Sequence, residues 1–144
     1  MLFFDTSALV KRYADEQGTE AVDRLIETSE HSIVITSLSV IEIASAFRRK
    51  SNRGELSEGK RDGLLASFFE DAIERFTVVP IDESIFETAF DLVLEDDLRT
   101  LDSLQLAAPL TVPMPNPDIT FVCADETLVD AADQHGLSTN NPLK

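Results

Sequence analysis

The sequence predicts an α/β fold, a sandwich of helices on a mainly parallel sheet. Two observations carry this. Short apolar runs alternate with segments of helical spacing along the whole chain, and those runs are apolar at every position rather than every second one, as strands covered on both faces are. The 144 residues, 43% apolar and 27% charged, are enough for one substantial core, so a single domain over 1–144 is expected.

Taken in order, "LFF" at 2–4 reads as the first strand, followed by helices at about 7–14 and 18–29. "SIVIT" at 32–36 is the second strand, with helices at 38–52 and 57–75 behind it. "FTVVPI" at 76–81 is the third, followed by helices at 83–95 and 99–108. "ITFV" at 119–122 is the fourth, the helix at 126–135 follows, and "LSTNN" at the end can supply a fifth. Ser7 or Thr6 is placed to cap the first helix, while "SEGK" and "DESIF" open later helices with an acceptor side chain. Gly54 and Gly136 fall where helices end. "PLTVPMPNPD" at 109–118 has four prolines in nine positions and is expected to be a surface loop, neither helix nor central strand.

Four carboxylates stand in apolar company. Asp5 is the only charge in "MLFFDTSALV", Glu42 the only one between Glu30 and Arg48, and Asp102 the only one from Thr100 to Pro117; Asp125 directly follows "ITFVCA". A buried carboxylate is costly unless it is protonated, paired or bound to metal. Two of these acids end strands and two lie on helices, and a parallel sheet can bring all four to the edge where its strands' carboxyl ends emerge. There they would repel by several kcal/mol at about 4–5 Å, or hold a cation. Hard oxygen ligands favour Mg²⁺ or Mn²⁺. Taken singly, each acid has a structural alternative: Asp5 and Asp125 can cap helices, and Glu42 or Asp102 can pair with Arg49 or Arg99.

Other chemistries find no support. The five glycines form neither GxxxxGK[ST] nor GxGxxG, and no G-x-S-x-G is present. His31 and His135 sit at element ends among polar residues. The lone Cys123, in an apolar run, reads as a small buried hydrophobe and excludes a disulfide or a cysteine-based zinc site. The net charge of −15 opposes a polyanionic partner, yet eight of the twelve basic residues cluster at 11–12, 48–53 and 60–61, so a local basic rim is available. No segment has the length or pattern of a membrane span or signal peptide, and a cytoplasmic location is expected.

"FFDTSALVKRY" followed by "EQGT", then "SLSVIEIASAFRR", "LRTLDSLQLA", "TFVCADETL" and "GLSTNNPL", in that order and nearly end to end, resemble the PIN domain and within it the VapC-type toxins. The resemblance implies a three-layer α/β/α sandwich with four to five strands and metal-dependent cleavage of RNA. It makes Asp5, Glu42, Asp102 and Asp125 the catalytic, Mg²⁺- or Mn²⁺-binding acids, with Ser7 near the metal. Asp97 does not match and is assigned to the surface. Gln105 stands where many relatives carry histidine and is not expected to touch metal. A homodimer and a small VapB-like antitoxin are the implied partners besides RNA. Two alternatives of other classes are a catalytically silent binding module and a Mg²⁺-dependent phosphatase or phosphoreceiver. The last lacks a second aspartate at position 7 and has only Lys144 as a late lysine.

Overall fold

Five short strands, β1 (Leu2–Phe4), β2 (Ile33–Thr36), β3 (Phe76–Val79), β4 (Thr120–Val122) and β5 (Ser138–Asn140), lie parallel in the order β3-β2-β1-β4-β5 in the computed structural model, which describes residues 1–113 and 118–144. Every pairing is parallel, where the sequence implied a mainly parallel sheet, and "LSTNN" does contribute the fifth strand.

Side-chain alternation along the strands divides the interior in two. Phe3, Val34 and Phe121 point to one face and pack with Ile85, Ala89, Leu106 and Leu128. These come from α5 (Glu83–Asp96), α6 (Thr100–Leu110) and α7 (Glu126–Gln134). Leu2, Phe4, Ile35 and Val122 point to the other face and meet Leu9, Val22, Ile43, Phe47 and Phe68. Those belong to α1 (Thr6–Leu9), α2 (Thr19–Thr28), α3 (Ser37–Asn52) and α4 (Glu58–Glu74). The result is the three-layer α/β/α sandwich, and burial on both faces is why β1 and β2 lack a polar alternation. β3 is an edge strand, with Thr77 and Val78 exposed.

Local chemistry sets the boundaries, with two departures from expectation. Of the three caps the sequence offers for α1, Asp5 takes the role over Ser7 and Thr6, its carboxylate accepting from the Ser7 N–H. The helix expected over 7–14 is one α-helical turn that tightens into a 3₁₀ turn at Val10–Arg12, a common ending for short helices. Pro109 lies inside α6, which runs on to Leu110. A proline near a helix end removes one late hydrogen bond, and here its ring is buried against the core. The rest of the expected proline loop falls partly on 114–117, outside the described residues. Ser57 and Asp82 cap α4 and α5, and Gly54 and Gly136 follow α3 and α7 with positive φ, as the sequence suggests. No helix among the described residues is long and apolar enough to cross a membrane.

The strand order reverses between β1 and β4, because the chain moves outward through β2 and β3 and then returns to the other side of β1. Loops leaving the carboxyl ends of β1 and β4 diverge there and open a crevice. Asp5 and Asp125 stand at those two ends.

Gly18, the residue before α2, has φ +95°, and an added Cβ would lie 3.0 Å from Lys11 Cδ and 3.2 Å from the Pro142 carbonyl oxygen. Gly54 has φ +75° and open space around it. Urea unfolding of Gly18→Ala should show a loss of about 2–3 kcal/mol, and that of Gly54→Ala about 1 kcal/mol, since only the first adds a backbone clash to the left-handed strain. Equal losses would show that Gly18 is required for its φ alone.

Candidate metal centre

Asp5 is 5% exposed at the end of the central strand. Its Oδ2 accepts from the Ser7 N–H at 3.0 Å and the Ser7 hydroxyl at 2.5 Å, and Ser7 Oγ in turn accepts from the Ala124 N–H at 3.0 Å. Ser7 therefore ties the end of β1 to the loop that follows β4. Burial pushes the Asp5 carboxyl up to about 6; the Ser7 hydrogen bonds oppose this, and the negative charges of Glu42 and Asp102 reinforce it.

Glu42 projects from the second turn of α3, whose start is fixed by Thr36 capping the Ser39 N–H. Its Oε1 accepts from Thr6 Oγ1 at 3.0 Å and from Gln105 Nε2 at 2.7 Å. Asp102 lies in the first turn of α6, and its carboxyl is raised by partial burial and by the charge of Asp125, against the pull of Arg99. Asp125 caps α7, with Oδ1 accepting from the Leu128 N–H at 3.1 Å, and is exposed.

All four acids, with Ser7 and Arg49, line one open cleft of about 210 Å³. None of the four has a cationic side chain within ion-pair distance among the described residues, so the pairing alternatives with Arg49 and Arg99 are not realised. The capping alternatives for Asp5 and Asp125 are realised, and they leave ligand capacity intact. Asp5 Oδ1, Glu42 Oε2, Asp125 Oδ2 and both oxygens of Asp102 have no protein donor among the described residues. As the side chains stand, no three acidic, histidine or cysteine side chains among the described residues close on a common point at metal-ligand distance. The donor set suits Mg²⁺ or Mn²⁺, hard ions of which Mg²⁺ keeps several waters and needs only one or two direct carboxylates.

The sequence reading does not foresee the polar residues behind the acids. Thr6, Thr36, Ser39 and Gln105 are buried and joined by hydrogen bonds. The signal was there in Gln105, the one amide in "LQLAAPL". Cys123 is fully buried as expected, although its Sγ lies 3.6 Å from Asp5 Oδ2 and its thiol is pushed strongly up by burial and by that carboxylate. His31 is exposed, and His135 at the end of α7 meets Asp96, both away from the cleft. The basic rim is largely internal: Lys11, Arg12, Lys50, Arg53 and Arg61 each face an acid, and of the three clusters only Arg49 reaches the cleft.

The raised Asp5 carboxyl has a consequence in metal-free protein. A group protonated more readily in the folded than in the unfolded state gives stability that is complete below its ordinary value of 3.8 and lost as pH rises through about 6. The loss amounts to about 3 kcal/mol. In EDTA, Asp5→Asn should melt above wild type at pH 8, and that advantage should vanish by pH 4. Parallel curves for the two proteins across this range would show that Asp5 carries no such cost.

Comparisons with known proteins agree with this architecture. Residues 2–110 match the family described as PIN domain. No curated protein sequence matches the chain. Among solved structures, the chain is similar to the Mycobacterium tuberculosis VapC20, described as a Sarcin-Ricin loop cleaving toxin, at TM-score 0.68 and 14% identity, over 91% of this chain and 95% of that one. It is similar to FitAcB from Neisseria gonorrhoeae at TM-score 0.67 and 17% identity, over 99% and 98%. A toxin-antitoxin complex from Klebsiella pneumoniae gives TM-score 0.61 and 15% identity, over 99% and 98%. The family match covers most of the 144 residues and the sheet order places the acids at its switch point, so the chain belongs to the PIN domain family.

Proposed function

We propose that this PIN domain is a Mg²⁺- or Mn²⁺-dependent ribonuclease, the toxin of a toxin-antitoxin pair acting in the cytoplasm, with Asp5, Glu42, Asp102 and Asp125 as its catalytic and metal-holding residues. The observation that carries the reading is the convergence of these four acids, isolated in the sequence, on one cleft where none of them is ion-paired among the described residues. VapC20 is described as a Sarcin-Ricin loop cleaving toxin, and the Klebsiella pneumoniae neighbour is a toxin-antitoxin complex; both support the assignment by likeness of fold.

A divalent ion supplies Lewis-acid polarisation of the phosphodiester and acidification of water. The chain's own groups do the rest. Asp5 and Asp102, whose carboxyls burial and neighbouring charges raise, are the acids whose ionised form a bound cation would favour. Thr6 and Gln105 hold Glu42. Asp125 is fixed by its own helix N-terminus, and Arg49 offers its guanidinium to a phosphate of the bound strand. Against the phosphatase or phosphoreceiver alternative stand a serine at position 7, bonded to Asp5, and a Lys144 that pairs with Glu126.

For assembly, Phe86, Phe90, Val93 and Leu94 on α5, with Leu101 on α6, are exposed in a continuous apolar face that supports a homodimer. A small antitoxin offering a basic side chain would complement the acidic cleft and the net charge of −15.

Cleavage of total RNA in Mg²⁺, compared with EDTA, tests the activity. Asp5→Asn and Asp102→Asn should each lower it by at least about 100-fold, a loss of about 3 kcal/mol in transition-state stabilisation, while the proteins stay folded. Wild-type rates in both variants would remove these residues from the site, and metal binding with no cleavage by wild type would leave the silent binding module. For the dimer, Phe90→Glu should convert the species seen by light scattering at micromolar concentration to monomer. A variant that stays dimeric would move the interface off α5.

A further inference from the structure

Asp102 and Gln105 stand three residues apart on α6 and so project from one side of it. Asp102 looks into the cleft; Gln105, 2% exposed, reaches behind it into the gap between α6, α1 and α3. Its Oε1 accepts from Thr36 Oγ1 at 3.0 Å, and its Nε2 lies 2.7 Å from Glu42 Oε1, 3.0 Å from Thr6 Oγ1 and 3.0 Å from Ser39 Oγ. The amide has two N–H groups for three acceptors, and the shortest contact is to the carboxylate, as a charge-assisted bond should be. Turned over, the amide would set its oxygen against Glu42. Thr36 and Glu42 therefore fix its orientation from opposite ends.

We propose that Gln105 is a positioning residue that mounts Glu42 on α6, so that the acid of α3 is held in register with Asp102 for the cation. The four partners come from the end of β2, from α1 and from α3, and among the described residues Gln105 is the one side chain that hydrogen-bonds all of them to the helix of Asp102. It does not meet the cleft itself. Its effect on metal binding therefore passes through Glu42, whose Oε1 it holds while Oε2 has no protein donor among the described residues. The inference rests on the metal-dependent reading above and adds a residue to it.

The test is a double-mutant cycle read by thermal melts across a Mn²⁺ titration, with EDTA melts as the measure of folding. Gln105→Met keeps the volume and removes both polar ends. It should raise the Mn²⁺ concentration at half-maximal stabilisation by about tenfold or more, as loss of a group orienting a ligand does. In a Glu42→Gln background the same substitution should change that midpoint by less than about twofold, because no carboxylate is left to orient. Should Gln105→Met not fold, Gln105→Asn decides: it keeps the amide but draws it back from Glu42, and should raise the midpoint in the wild-type background alone. An unchanged midpoint, or equal rises in both backgrounds, would overturn the assignment and leave the metal site standing. A wild-type protein that Mn²⁺ does not stabilise would overturn the metal reading and this inference together.

Discussion

A carboxylate at the end of a strand that is covered on both faces is largely withdrawn from bulk water, and that is the position of Asp5, which reaches solvent only through the cleft. β1 is the middle strand of the sheet, with one core on Phe3 and the other on Leu2 and Phe4, so the strand cannot shift to relieve the acid that follows it. Relief comes from what surrounds the acid. Ser7 donates twice to one oxygen, and this fixes both the first turn of α1 and, through Ala124, the loop after β4. Two hydrogen bonds offset part of the burial penalty and no more, as the raised carboxyl shows.

The same logic extends outward from Asp5. Two of the other three acids are held by donors that are themselves parts of the scaffold: the N-terminus of α7 for Asp125, and Thr6 and Gln105 for Glu42. Capping and ligand roles are therefore compatible. A cap occupies one carboxylate oxygen and orients the other, so the helix termini that end the strands also aim the acids. Backbone and amide donors stabilise these carboxylates without neutralising them, which leaves the deficit of positive charge that a divalent ion would fill under the proposed function.

The fold was legible in the sequence because parallel strands buried on both faces leave a distinct trace: largely apolar runs at 2–4, 33–36 and 119–122, each followed by a helical period. The acids were legible because each broke an apolar pattern. What stayed hidden is local competition. Asp5 displaced Ser7 as the cap because its carboxylate accepts two bonds from that residue at once, a matter of side-chain geometry that the pattern of types does not carry. Pro109 was read as a helix breaker, but the penalty of one missing hydrogen bond near a helix end is small beside the burial of α6. Gln105 appeared only as a departure from the family's usual residue; that it joins β2, α1 and α3 depends on contacts 63 to 99 residues away along the chain.

Charge distribution gives the last constraint. A chain of net −15 repels RNA, and its basic residues do little to offset that, because Lys11, Arg12, Lys50, Arg53 and Arg61 each face an acid of the same chain. Those pairs hold the fold instead: Arg12 bonds Asp71 at 2.7 Å and ties the turn after α1 to α4. At the cleft, Arg49 faces four acids. Under the proposed function, the attraction for a phosphodiester must then come from the ion as well as the protein, and the cation becomes part of substrate binding as much as of catalysis. An acidic surface with an acidic cleft also gives a basic antitoxin segment a continuous field to follow, with a range set by the Debye length of about 8 Å at physiological salt. Under the proposed function, one arrangement of unneutralised carboxylates thus makes the site dependent on a cation and open to a basic inhibitor.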